Sequence, residues 1–138
     1  MILLDTSVLI DYLKGTEKPE SAALDRIIDK GIPFGICAFV FQETLQGARD
    51  LEEYERLREY LGSLVFHELR NGIGSYEKAT LINARCRNAG LAVRSAIDLL
   101  IAEIAIENDL ELLHRDNDFR NIAKVVGEPK LFDPRDLI

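Results

Sequence analysis

Residues 96–119 read AIDLLIAEIAIENDLELLHRDNDF, and this stretch decides the fold. Ala96 to Asn108 is nearly all apolar, as a helix buried on several sides must be, and Leu110 to His114 is an apolar run of strand length that stops at Arg115 and Asp116. A buried helix leading into a buried strand is the repeating unit of an α/β sheet.

Working outward, the same alternation recurs. Ile2 to Leu4 is fully apolar, as expected of a central strand buried on both faces, and ends at Asp5. Thr6 and Ser7 are good helix-capping residues, and Val8, Leu9, Tyr12 and Leu13 then recur at helical spacing until Gly15. Pro19 to Lys30 predicts a second helix, closed by Gly31. Ile32 to Val40 predicts a strand that passes into a helix carrying Glu43. Asp50 to Leu61 is a charge-laced helix whose Leu51, Tyr54, Leu57 and Leu61 share one face, which is assigned mainly to the core. Leu64 to Leu69 reads as a strand, Ser75 to Asn88 as a helix ended by Gly90, Asn117 to Lys124 as a short helix and Lys130 to Phe132 as a last strand. The expected architecture is a three-layer α/β/α sandwich around a parallel sheet of four to five strands. With 138 residues, no repeat and no linker, the chain is expected to form a single domain.

Four carboxylates, Asp5, Glu43, Asp98 and Asp116, fall at or near strand-to-helix junctions. In an open α/β sheet those junctions gather at one edge, so residues far apart in sequence meet in one pocket. Singly, each acid has an ordinary role as a helix cap or surface residue. Asp98 fits that role least well. At about 100° per residue, Glu103 lies about 140° and Glu107 about 180° from it, so the glutamates mark a solvated stripe. Asp98 then faces Ile101, Ala102 and Ala105, an apolar side on which a carboxylate is costly unless paired. Two carboxylates about 4 Å apart repel by roughly 4 kcal/mol at an effective dielectric near 20, so a group of them calls for shared protons or a cation. Mg²⁺ or Mn²⁺, which take oxygen ligands, fits such a pocket.

A net charge of −7 argues against nucleic-acid binding through a broad basic surface, but the eleven arginines allow a local phosphate-binding rim. Arg85, Arg87, Arg94 and Arg115 are the candidates. Cys37 and Cys86 have no ligand-spaced partners and read as buried free thiols; His67 and His114 stand singly and read as structural. No apolar run approaches the roughly 18 residues of a membrane helix, and the N-terminus has no basic leader, so a cytoplasmic protein is expected.

Asp5-Thr6-Ser7, Gln42-Glu43 with Gly47, Ala96-Ile97-Asp98-Leu99-Leu100-Ile101-Ala102 and Arg115-Asp116-Asn117-Asp118-Phe119 together resemble the successive motifs of the PIN domain. The resemblance spans essentially the whole chain and is closest to the VapC toxins of toxin-antitoxin pairs. It implies a Mg²⁺- or Mn²⁺-dependent ribonuclease cutting single-stranded or looped RNA, with Asp5, Glu43, Asp98 and Asp116 as the acidic quartet. By similarity, Asp5 and Asp98 are direct metal ligands and Asp116 is a ligand directly or through water. Glu43 would serve a second metal or orient water, Asp118 is an auxiliary acid, and Ser7, with Thr6 beside it, supports the carboxylates. Many relatives carry Ser or Thr three residues before the second acid, where this chain has Val40. The family further implies a homodimer, a VapB-type antitoxin that blocks the site, and contact with DNA only through that antitoxin. The rival readings are a PIN-like module that binds RNA or antitoxin with little catalysis, and a phosphatase or receiver domain. A haloacid-dehalogenase-like phosphatase would want a second Asp where Ser7 stands, and a receiver domain would want an acidic pair after the first strand.

Overall fold

The run Ile2–Leu4 carries no polar side chain, which suits it to the centre of a sheet buried on both faces. In the computed structural model, which describes residues 1–137, it forms β1, paired with β2 (Phe34–Ile36) on one side and β4 (Glu111–Leu113) on the other. β3 (Val65–Phe66) and β5 (Lys130–Leu131) complete a sheet of order β3-β2-β1-β4-β5 in which every pairing is parallel.

The helices are α1 (Thr6–Lys14), α2 (Pro19–Asp29), α3 (Ala38–Gln46), α4 (Leu51–Gly62), α5 (Ile73–Asn88), α6 (Ala96–Glu107) and α7 (Asn117–Val126). From β1 the chain steps outward to β2 and β3, then crosses back over β1 to β4 and β5. Right-handed crossovers therefore put α1 to α4 on one face and α5 to α7 on the other. The packing agrees: α1 touches α2 and α3, while α5, α6 and α7 touch one another. This is the expected three-layer sandwich. Its core joins Leu3, Leu4, Ile36, Leu112 and Leu113 of the sheet to Leu9, Leu24 and Ile27 on one side and Ile101, Ile104 and Phe119 on the other, all fully buried.

The reversal of direction is what positions the site. It occurs between β1 and β4, and the crevice beyond the carboxyl ends of strands at such a switch point is where α/β proteins place ligands. Asp5 follows β1 directly, and its backbone N–H donates to Leu113 O at 3.0 Å, tying it to the end of β4. Arg115 and Asp116 leave that same end.

Three sequence expectations need correction. The strands expected over Ile32 to Val40 and Leu64 to Leu69 shrink to Phe34–Ile36 and Val65–Phe66, because α3 already starts at Ala38 and β3 is an edge strand whose sole partner, β2, has three residues. The face of Leu51, Tyr54, Leu57 and Leu61 is core only at its end. Leu61 is fully buried whereas Leu51 is 82% exposed, since α4 packs chiefly on α3 and its first turns lean outward. Glu103 is not on a solvated stripe: it is 2% exposed, because α6 is enclosed by α5, α7 and β4 and is buried without a break from Ile101 to Ala105. Glu107 is partly buried too, accepting hydrogen bonds from Arg70 N (2.7 Å) and Ser75 Oγ (2.9 Å).

Gly35 has a steric reason to be glycine. A Cβ there would stand 2.6 Å from Val65 O, a backbone atom that cannot yield without opening the β2–β3 pairing, and 3.0 Å from the His67 ring. Gly35→Ala is expected to destabilise the protein by about 1–3 kcal/mol. A denaturant midpoint equal to that of the native sequence would show that β3 moves aside freely. Among the described residues no helix is long and apolar enough to cross a membrane, and Cys37 and Cys86 are buried free thiols.

Candidate metal centre

Asp5 sits at the N-cap position of α1, yet its carboxylate makes no cap hydrogen bond. Instead it is held from its own helix, with Ser7 Oγ donating to Asp5 Oδ2 at 2.7 Å. The side chain is 5% exposed, and burial pushes its pKa above the ordinary aspartate value; the hydrogen bonds from Ser7 and Thr6 oppose the shift, and the charge of Glu43 adds to it. Thr6 Oγ1 reaches across to α3 and donates to Glu43 Oε1 at 2.7 Å. Glu43 therefore keeps a hydroxyl partner although Val40, where the family resemblance leads to an expectation of Ser or Thr, is apolar and fully buried.

Asp98 lies in the first turn of α6, half-buried, where the helix dipole favours a negative charge. Ser95 caps that helix by accepting from Ile97 N, which leaves the Asp98 carboxyl free to face the crevice. Burial first, and then the charges of Asp5, Asp116, Asp118 and Glu43, push it up to about 7. Asp98 thus feels the charge of the other three expected acids and of Asp118, although only Asp116 and Asp118 come close enough to share a ligand group with it.

Asp116 has two duties. It is the N-cap of α7, its Oδ1 accepting from Asp118 N at 2.9 Å, and it also belongs to the acidic group. Its own N–H donates to His114 Nδ1 at 3.2 Å, which requires a neutral imidazole there. Burial lowers the His114 pKa accordingly, with the nearby Arg120 charge acting the same way, and the ring packs edge-on against Phe119. His114 is structural, as expected. Asp118 is 5% exposed, and its Oδ2 accepts from Arg94 N at 3.0 Å.

Asp98, Asp116 and Asp118 each offer an oxygen, and these oxygens lie within 4.8 Å of one another. Among the described residues no lysine or arginine forms an ion pair with any of the five acids. An all-oxygen donor set carrying uncompensated charge suits a hard divalent cation and offers nothing to a soft one. The fit is therefore good, with Asp118 joining Asp98 and Asp116 more closely than its auxiliary place in the sequence suggests.

The four arginines divide. Arg94 and Arg115 line the cleft that holds Asp116 and Asp118. Arg85 lines a different cavity, beside Glu103 and Glu107, and Arg87 is exposed in the last turn of α5. Sequence reading missed Asp11. It is buried on α1, and Arg115 Nη1 lies 2.6 Å from its Oδ2. The signal was present in outline, because Asp11 follows Ser7 by four residues and so shares its face of the helix. Its partner, in a loop more than a hundred residues away, was not visible.

The family model of the PIN domain matches residues 2–125. Among curated proteins, the chain is 31% identical to "VapC ribonuclease Mb1587" of Mycobacterium bovis over 128 residues, 92% of this chain and 95% of that protein. It shows the same identity and coverage to "Ribonuclease VapC11" of Mycobacterium tuberculosis. Among solved structures, a toxin-antitoxin complex from Klebsiella pneumoniae matches with TM-score 0.69 and 21% identity, covering 97% of this chain and 98% of that one. FitAcB from Neisseria gonorrhoeae matches with TM-score 0.70 and 21% identity, covering 98% and 99%. The structural likenesses establish the fold, and the match of the family model, supported by the VapC relatives, carries the rest: the chain belongs to the PIN-domain family.

Proposed function

We propose that this protein is a divalent-metal-dependent endoribonuclease of the VapC type, the toxin of a toxin-antitoxin pair. The observation that supports it best is the convergence of Asp5, Glu43, Asp98, Asp116 and Asp118 at the switch point of the sheet with no ion pair to any of them among the described residues. The relatives' names supply the reaction class, since the curated VapC proteins are called ribonucleases. Solved structures of similar fold include toxin-antitoxin complexes, which supports a VapB-type antitoxin as partner; contact with DNA only through that antitoxin is part of the same proposal.

Asp98 and Asp116, with Asp5, would hold Mg²⁺ or Mn²⁺, and Asp118 would contribute its oxygen to the same group. Bound there, the cation would acidify water and stabilise negative charge on the phosphodiester. The protein's own residues do the remaining work. Ser7 holds the Asp5 carboxylate in one orientation, and Thr6 fixes Glu43, which faces the acids from α3 and is placed to orient water. Arg94, lining the cleft beside Asp116 and Asp118, is the phosphate contact of choice, whereas Arg115 is already engaged by Asp11. Family likeness further suggests a homodimer acting in the cytoplasm.

Cleavage of a mixed panel of structured RNAs by purified protein, with Mg²⁺, Mn²⁺ or EDTA, tests this reading. Cutting that requires the metal and stops in EDTA is expected. Cutting indifferent to EDTA would sink the acidic site as its source, and no cutting in protein shown to bind Mn²⁺ would favour a binding module.

A further inference from the structure

The contact between Asp11 and Arg115 joins the first helix to the loop that carries the metal-site acids. Asp11 is 9% exposed, and Oδ2 receives no aligned hydrogen bond; its compensation is the ionic contact with Arg115 Nη1 at 2.6 Å. A buried carboxylate left without that partner is strongly destabilising, so Asp11 depends on Arg115. Arg115 does not depend on Asp11. It is partly exposed, immediately precedes Asp116 and lines the same cleft as Asp116 and Asp118. A guanidinium released there has three closely set carboxylates to choose from and would form the charge-assisted, forked contacts that arginine makes best. It would then compete with a divalent cation for the same oxygens.

We propose that Asp11 is a positioning residue that sequesters Arg115 and so keeps the acidic group free to take up a metal ion. The inference rests on the metal-site reading given above. It differs from a purely structural role for the ion pair, because breaking the pair from its two ends should have opposite consequences for metal uptake. Removing the carboxylate frees the competing cation; removing the guanidinium eliminates it.

The test is Mn²⁺ affinity by calorimetry, with folding checked by circular dichroism, for the native sequence, Asp11→Asn, Arg115→Gln and the double variant. Asp11→Asn is expected to bind Mn²⁺ about tenfold more weakly, Arg115→Gln as tightly as the native sequence or more so, and the double variant to recover. Equal losses in both single variants, or no loss in Asp11→Asn, would overturn the proposal. Should Arg115→Gln, which leaves the Asp11 carboxylate buried without its partner, fail to fold, Asp11→Asn and the double variant decide: a tenfold loss that the double variant restores supports sequestration, and no loss, or a loss the double variant shares, refutes it. Absence of Mn²⁺ binding by the native protein would instead overturn the metal-site reading, and this inference with it.

Discussion

Asp98→Asn is expected to lower RNA cleavage by about 10²–10³-fold while making the metal-free protein more stable above pH 7. The two effects have one cause. Asp98 is half-buried and surrounded by Asp5, Asp116, Asp118 and Glu43, so its charged form is disfavoured and its pKa stands near 7. A group whose folded pKa is raised contributes stability that is lost as pH climbs through that value. Asparagine cannot ionise, so the loss disappears, and with it the ligand charge that metal binding needs. Thermal melts at pH 6 and 8 in EDTA, beside cleavage assays with Mn²⁺, read both effects. A variant that is inactive and also less stable at pH 8 would indicate a structural role for Asp98 and argue against a strained metal ligand. Asp5→Asn should lose activity similarly, with a smaller gain in stability, because the hydrogen bond from Ser7 Oγ already offsets part of the cost of burying its charge.

The second large effect concerns Glu103 and lies away from the metal site. Glu103 is almost wholly buried on α6, and Glu107 follows one turn later; Oε2 of each lacks a hydrogen-bond donor when both are ionised. Burial, with the hydrogen bond and charge of Glu107, pushes Glu103 up to about 8. Burial would also raise Glu107, but hydrogen bonds from Glu103, Arg70 N and Ser75 outweigh it and hold that group down to about 2. The opposite shifts of the two groups are those of a pair that holds one proton between them at neutral pH. Arg70 from the loop before α5, Lys78 and Arg85 from α5 and Glu128 after α7 line the same cavity.

The sign of the pH dependence follows. Unfolded, both glutamates lose their protons near 4.5; folded, the pair keeps one up to about 8. The pair's contribution to stability is therefore greatest near pH 4.5, falls toward pH 2 as Glu107 takes up its proton, and falls as pH rises toward 8, by up to roughly 1.4 kcal/mol per unit. Between pH 6 and 9 the native sequence is expected to lose about 2–3 kcal/mol from this pair, on the order of 10 °C in melting temperature. Glu103→Gln keeps a donor toward Glu107 but cannot ionise, so its profile should lack this decline. Parallel pH profiles for the two proteins would show that the pair does not hold its proton.

Glu103 also shows where sequence reading failed. Helical periodicity marks which residues share a side, but it assigns the charged side to water, and that inference holds only for a helix with a free side. α6 has none. Leu51 failed in the opposite way: its spacing matched Leu61, yet only one end of α4 reaches the core. In both cases the pattern within the element was correct and the neighbours decided its meaning. Asp118, placed last among the acids in the sequence, joins Asp98 and Asp116 because the cap of α7 turns it inward, with Asp116 Oδ1 holding its backbone and Arg94 N its carboxylate.

What the sequence determined by itself is the alternation of strands and helices and the identity of the acids at Asp5, Glu43, Asp98 and Asp116. Both are local properties, set by apolar periodicity and by residue chemistry at the ends of elements. The tertiary structure alone decided the strand order, the switch point between β1 and β4, the enclosure of Glu103 and the reach of Arg115 to Asp11. These depend on contacts between residues tens to more than a hundred positions apart, and no local pattern encodes which distant side chains will share a low-dielectric space. That sharing raises the Asp98 pKa and sets the demand for a cation, so the site's chemistry belongs to the folded chain even though its residues can be read one by one.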